Sequence, residues 1–307
     1  MSDDLGLWSV AVAILGGAIR VSVPFLFVSL GECVTEKSGR INLGLEGTLV
    51  FGAMAGYGGS LYTGSPWLGV LAAGLCGVLF GLLHGALCSL RNVNDIAVGI
   101  ALMLFGMGLA FFFGKPLIQP AAPMLPSIDL SFWTSQPAVK AALQISPLFP
   151  IGIAIAFGLG FVFRRTRIGL VLRMVGDSAD AARAMGYAIL PVRILATAFG
   201  GFMAGVAGAY LSLYYPGSWN EGISQGQGLI AVALVIFARW NPVACFAAAL
   251  LFGGAGALGP ALQSVGVTGG YYLFYAAPYV LTLIILILTS SPRRALDGAP
   301  RELSITK

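Results

Sequence analysis

Residues 67–90 read WLGVLAAGLCGVLFGLLHGALCSL, a run with no Asp, Glu, Lys or Arg, opened by Pro66 and closed by Arg91. Such a run is long enough to cross a hydrocarbon layer of roughly 30 Å as a helix. Gly77, Gly81 and Gly85 recur every four residues along it and so share one helix face. Glycine at this spacing lets two helix backbones approach closely inside a membrane, and Gly201 with Gly205 repeats it. Both stretches are expected to be packing seams. The sole histidine, His84, lies in the same run, where the expected role is a hydrogen bond to a neighbouring helix.

Working outward, apolar runs of this kind fill the chain. Polar residues, Pro and Gly divide it into nine segments, 7–30, 42–62, 67–90, 94–113, 148–163, 192–215, 226–238, 242–260 and 271–290, the short ones being candidates for half-helices. The composition agrees: 58% of residues are apolar and only 9% charged, with a mean hydropathy of +0.90, against roughly a quarter charged in a soluble domain. The expected fold is all-α, a polytopic transmembrane helical bundle of about nine segments (8–10), with residues 1–307 forming a single membrane domain. Met1-Ser2-Asp3-Asp4 lacks the basic residues of a signal peptide, so the first segment is expected to stay in the mature protein. Cys33, Cys76, Cys88 and Cys245 lack the close Cys/His spacing of a zinc site and read as packing residues. Neither a metal nor nucleic acid is expected; the basic balance (net charge +5) does not interleave with aromatics along a polar stretch.

Topology explains the charge instead. With the N-terminus outside, Lys37, Arg40, Arg91, Arg164, Arg165, Arg167, Arg173, Arg183, Arg193, Arg239, Arg293, Arg294, Arg301 and Lys307 fall on the inner side. Only Lys115 and Lys140 fall outside, and Arg20 lies within the first segment. That bias obeys the positive-inside rule, placing the C-terminus in the cytoplasm. Of two long connections, the outer one, 114–147, is rich in proline and should be irregular with at most a short helix around Val139 to Leu143. The inner one, 164–193, holds Asp177-Ser178-Ala179-Asp180-Ala181-Ala182-Arg183-Ala184-Met185-Gly186, read as a short helix at 177–185 with a cap at Asp177, an acid three residues on, and a stop at Gly186. Gly253-Gly254, Gly256 and Gly259-Pro260 are expected to weaken or interrupt the eighth segment, a pattern that membranes tolerate beside a cavity.

The chemistry-bearing candidates are the polar residues at membrane depth: Arg20, Asn42, Glu46, Asn92, Asn94 and Asp95. A charge there costs on the order of 3 kcal/mol on insertion scales, so each needs a partner, a cavity or the interface. For Glu46 and Arg20, two readings stand: a structural ion pair between neighbouring segments, or a role on the solute path. For Asn92, Asn94 and Asp95 the alternatives are capping the fourth helix or touching ligand. The outer run Glu221-Gly222-Ile223-Ser224-Gln225-Gly226-Gln227-Gly228 is polar and Gly-rich, fit either to line an entrance or to serve as an ordinary loop. Enzyme chemistry is not expected, because no Ser-x-x-Lys or Gly-x-Ser-x-Gly arrangement meets a plausible base. Gly114-Lys115 runs into Pro116 and makes no phosphate loop, so this chain should bind no ATP itself.

Three stretches carry a resemblance. Glu36-Lys37-Ser38-Gly39-Arg40-Ile41-Asn42-Leu43-Gly44-Leu45-Glu46-Gly47 resembles the signature S-E-R-S-G-x-x-N-x-G-x-E-G of ABC importer permeases of the branched-chain amino acid and ribose superfamily. Gly169 to Asp177, followed by Ala181-Ala182 and Gly186, resembles the cytoplasmic loop of its simple-sugar and nucleoside branch. Gly228-Leu229-Ile230-Ala231-Val232-Ala233-Leu234-Val235-Ile236-Phe237-Ala238-Arg239-Trp240-Asn241-Pro242 resembles that branch's late block. Asn94-Asp95 and Ala238 depart from the residues frequent there.

The resemblance implies a type II-like importer permease fold in a bacterial cytoplasmic (inner) membrane, working with a second, longer permease paralogue. A cytoplasmic ABC ATPase would hold ATP and Mg, and an extracytoplasmic solute-binding lipoprotein or periplasmic protein would deliver the solute. Nucleosides are the leading solute class it implies, with simple sugars, riboflavin or branched-chain amino acids as alternatives. Asn42, Glu46, Asn94, Asp95, Gln225 and Gln227 are then the candidate path residues. Asp177, Ser178, Asp180, Ala182, Arg183, Met185 and Gly186 are the candidates for coupling to the ATPase. A secondary transporter working without ATP is the competing class; against it stand the lack of a second carboxylate for Glu46 and the capped helix with no other evident task.

Overall fold

The computed structural model describes residues 7–132, 137–264, 276–289 and 298–305. Twelve helices are defined among them: α1 Leu7–Lys37, α2 Leu45–Thr63, α3 Pro66–Leu87, α4 Asp95–Gly114, α5 Pro137–Ala142, α6 Leu148–Arg165, α7 Arg167–Asp177, α8 Ala179–Ala184, α9 Ile189–Leu213, α10 Gln227–Phe237, α11 Pro242–Ser264 and α12 Ala277–Thr289. Six of these, α1, α3, α4, α6, α9 and α11, are long and apolar enough to cross a membrane. With α2, α10 and α12 they answer to the nine segments expected. The remainder of the last segment, 271–275 and 290, lies outside the described residues, as do Arg293, Arg294 and Lys307.

Helix α9 is the centre of the bundle, packed against α3, α2 and α1. The glycine stripes make this possible. A Cβ on Gly77 would lie 2.0 Å from the Gly201 carbonyl oxygen, and one on Gly81 2.2 Å from that of Thr197. The α3 and α9 backbones are thus in direct contact along the seam. On the far side of α3, Leu71, Leu75 and Leu79 recur every four residues and are 50–66% exposed. An aqueous surface rarely carries so continuous an apolar stripe, whereas lipid tails accept it: this is a multi-pass membrane protein.

Helix α1 runs seven residues past the expected end, because Gly31-Glu32-Cys33-Val34-Thr35-Glu36-Lys37 contains no residue that stops a helix under tertiary packing. Its internal Pro24 has no N–H to give the Arg20 carbonyl. The Tyr210 hydroxyl fills the gap, donating to that carbonyl at 2.8 Å.

Three expectations are corrected. Helix α11 is continuous through Gly253, Gly256 and Pro260; its glycines serve close approach to α1, since a Cβ on Gly253 would sit 2.4 Å from the Ala18 carbonyl oxygen. The connection 164–193 holds two helices, α7 and α8, and the cap of α8 is Ser178, whose Oγ accepts the Ala181 N–H, while Asp177 ends α7. Thr166 caps α7 in the same manner. Finally, the 114–147 connection, expected to be irregular with at most a short helix, also holds a two-residue antiparallel pairing of Ile128–Asp129 with Gln144–Ile145 around α5.

Candidate functional site

Depth along α9 locates the polar residues. That helix rises about 37 Å over its 25 residues. Gly52 packs on Gly205 and Gly56 on Ala209, so α2 runs parallel to α9. Counting six residues back from Gly52 puts Glu46 about 15 Å above Ile189, near the middle of the bundle. The loop before α10 comes down to meet it. Trp219 donates from Nε1 to the Gly114 carbonyl at the far end of α4 (2.8 Å), and a few residues later the loop reaches Glu46.

Both carboxylate oxygens of Glu46 are occupied by that loop. Oε1 accepts the Ser224 hydroxyl (2.6 Å) and the Gly226 N–H (3.0 Å), and Oε2 accepts the Gly228 N–H (2.6 Å). These donors sit at and before the first turn of α10, where helical N–H groups lack intrahelical partners and a negative group is favoured. A Cβ on Gly228 would lie 2.7 Å from Glu46 Cα, so only glycine allows the approach. Glu46 therefore takes its bonds from residues 224–228 rather than from Arg20, and the polar run 221–228 is clasped instead of loose. Helix α10 spans 11 residues, about 16 Å, from this mid-depth point to the α8 end of the bundle. There Trp240 Nε1 donates to Glu36 Oε2 in the last turn of α1. It is a half-helix, as its short segment suggested.

Beside the clasp lies a cavity of about 380 Å³, within the range of small-molecule sites. Arg20, Pro24 and Phe25 of α1 line it with Tyr215, Gln225, Gln227, Pro260 of α11 and Tyr279 of α12. Apolar and aromatic walls carry a few polar groups: one guanidinium, two amides and two phenols. Gln225 occupies a left-handed backbone conformation (φ 49°), which turns the chain into the αL Gly226 that caps α10.

The candidate path residues thus fall into two groups. Glu46, Gln225 and Gln227 come together at mid-depth. Asn42, Asn94 and Asp95 lie nearer the α8 end and make structural bonds there. Asn94 Oδ1 accepts the Ile96 and Ala97 N–H groups as the cap of α4. Asp95 pairs with Arg40 at 2.6 Å, and Asn42 Oδ1 accepts the Gly44 N–H. His84 Nε2 lies 3.2 Å from the Ile41 carbonyl, tying α3 to the same loop.

Sequence reasoning passed over Glu32 and Glu36, both buried, because the first segment was ended at residue 30. Glu32 Oε1 accepts the Asn42 N–H at 2.8 Å. Their spacing of four beside Thr35, with no breaker before Lys37, was the available signal. Their burial supplies further deep carboxylates, which the case against a secondary transporter took to be lacking beside Glu46.

At the α8 end, Asp180 and Arg183 pair at 2.8 Å on the solvent side, Met185 is 67% exposed, and Ala182 is fully buried against Val175 and Ile189. Tyr187 N–H bonds to the Ala182 carbonyl and Gly186 N–H to that of Arg183, a Schellman stop with Gly186 at φ 83°. The seven coupling candidates thus sit together on and around one short protruding helix.

The family described as branched-chain amino acid transport system / permease component matches residues 14–290. A putative glucose ABC transporter permease of Haloferax volcanii is 33% identical over 80% of this chain and 76% of its own length. The nucleoside ABC transporter permease NupC of Lactococcus lactis and the guanosine ABC transporter permease NupQ of Bacillus subtilis are each 29% identical, over about 90% of both chains. With a multi-pass helical bundle, a half-helix clasped at mid-depth and a match along nearly the whole sequence, this chain belongs to the branched-chain amino acid transport system permease family and is an ABC transporter permease subunit.

Proposed function

We propose that the chain forms half of the pathway by which nucleosides are imported, with ATP hydrolysed on separate cytoplasmic subunits. The observation that carries this reading is the cavity that runs from the clasp toward the Tyr215 end of the bundle, where the Gln225 and Gln227 amides and the Arg20 guanidinium stand among Phe25, Tyr215 and Tyr279. Amides and phenols suit the hydrogen-bonding edge and hydroxyls of a nucleoside, and aromatic rings suit the face of its base. Relatives named for nucleoside and guanosine transport, aligned over about 90% of both chains, support the same class.

In this reading the N-terminus is outside and the α8 end faces the cytoplasm, where α8 docks on the ATPase. Alternation moves α1, α10 and α11 around the cavity, and Glu46 keeps the 224–228 loop attached to α2 as they move. The partner half is a paralogous permease, consistent with a second guanosine permease relative, NupP, in Bacillus subtilis at 24% identity. A receptor outside delivers the solute. A sugar is the second reading, favoured by the Haloferax volcanii relative.

The test is uptake of radiolabelled nucleosides by cells lacking only this chain, with glucose, pentoses and riboflavin in parallel. Loss of nucleoside uptake, restored by the wild-type chain and not by Ala182→Pro, is expected. A fall in sugar uptake alone moves the solute assignment to sugars. Full uptake with Ala182→Pro, or undiminished co-purification of the ATPase, removes the docking role of α8.

A further inference from the structure

The segment after the last membrane helix returns to the cytoplasmic end of the bundle as a short 3-10 turn, Arg301–Ile305, and lies against α7. One side chain in it, Glu302, makes two bonds that otherwise separate elements share. Its Oε1 accepts the Ala179 N–H, the first residue of α8, at 3.0 Å. Its Oε2 pairs with Arg193 Nη2 of α9 at 3.1 Å, and both side chains are largely shielded, at 22% and 12% exposure. Arg193 carries the link onward, since its Nε donates to the Ser38 carbonyl at 3.1 Å. Lys37 donates from Nζ to the Gly298 carbonyl at 2.9 Å, fixing the start of the same segment.

Packing leaves little slack at this junction. A Cβ on Gly39 would lie 2.9 Å from Glu302 Cβ and 3.1 Å from Arg193 Nη2, and one on Gly176 would lie 2.2 Å from the Lys37 carbonyl oxygen. Ala299 and Leu303 pack on the main core. Helix α8 is six residues long and buries only Ala182, so its own contacts are few. Its orientation rests on Ser178, on Ala182 with the partly buried Ala179, and on Glu302.

We propose that Glu302 is a positioning residue for energy coupling: the C-terminal segment is a strap that ties α8 to α9 and to the α1–α2 loop, so that movement of α8 reaches the helices around the cavity. This rests on the docking role of α8 given above. Without the strap α8 still binds the ATPase through its exposed face, Asp180, Arg183 and Met185, but it swings on Ser178 rather than carrying α9 with it.

The experiment uses the full complex in proteoliposomes and measures solute moved per ATP hydrolysed, together with ATPase content and a cross-link to the ATPase from Ala184→Cys, an exposed position of α8 beside the docking residues. Glu302→Ala removes both bonds and is expected to lower the transport-to-hydrolysis ratio about tenfold, the low end of what a charge-assisted hydrogen bond supplies. Glu302→Gln keeps an acceptor for the Ala179 N–H but loses the charge against Arg193, and should fall between Ala and wild type. ATPase content and the cross-link should stay at wild-type levels. An unchanged ratio in Glu302→Ala overturns the proposal, as does loss of the ATPase from either variant, which would make the strap an assembly element. A missing cross-link in the complex that carries Ala184→Cys alone removes the docking role itself and the proposal with it.

Discussion

Replacing Glu46 tests the clasp that organises the centre of the bundle. In Glu46→Ala three donors lose their acceptor at once. The Ser224 hydroxyl can rotate toward another oxygen and the half-buried Gly226 N–H can find water, but the Gly228 N–H is enclosed against α2. An unsatisfied buried donor costs roughly 1–3 kcal/mol, and lost charge-assisted bonds add to it, so about 3–5 kcal/mol is expected. Glu46→Gln is the sharper test. Its amide oxygen can replace only one carboxylate oxygen, and the amide nitrogen then faces a donor, Gly228 N–H, where Oε2 stood at 2.6 Å. That substitution should cost about 2 kcal/mol or more. Thermal unfolding of the detergent-purified protein reads the stability change, with a fall on the order of 10 °C for Glu46→Ala. Solute uptake reads displacement of Gln225 and Gln227. A Glu46→Gln protein with wild-type midpoint and uptake would refute the reasoning.

Further substitutions separate packing from site effects. Gly77→Ala places a methyl against the Gly201 carbonyl and should destabilise by about 1–3 kcal/mol, whereas Gly108→Ala on α4 meets nothing within 4 Å and should be neutral or stabilise by about 0.5–1 kcal/mol; thermal midpoints measured side by side decide. Asp95→Asn leaves the partly buried Arg40 without its countercharge and should cost about 3 kcal/mol, seen as lower yield and a lower midpoint without a change in solute preference. Gln227→Ala should weaken solute binding about tenfold with the midpoint nearly unchanged, measured by equilibrium binding on the purified complex.

Hydropathy made the bundle legible because the bilayer imposes one length scale, and α3, α4 and α6 fall within a few residues of their expected ends. The glycine seams were legible for a related reason: a four-residue spacing has one geometric use between helices. The end of α1 was not legible because the partners of buried Glu32 and Glu36, Asn42 and Trp240, are brought close only by the fold. Gly253 and Pro260 suggested a break, yet close packing on α1 keeps α11 continuous through them, a tertiary effect that local propensity does not contain. Glu46, Gln225 and Gln227 were each marked as candidates. Their union was not legible, since the 221–228 run is far from Glu46 in sequence and its re-entry to mid-depth depends on Gly228 meeting α2. The one-residue shift of the α8 cap has a local cause: Asp177 and Ser178 are both good caps, and α7 consumes the first of them.

The most direct measurement is nucleoside accumulation in proteoliposomes holding this chain, its paralogous permease, the ATPase and the solute receptor, with and without internal ATP. Accumulation that requires ATP, and that falls with Glu46→Gln and with Ala182→Pro, is the expected result. Equal accumulation without ATP, or ATP-driven transport of a sugar with nucleosides excluded, would contradict the proposed import of nucleosides.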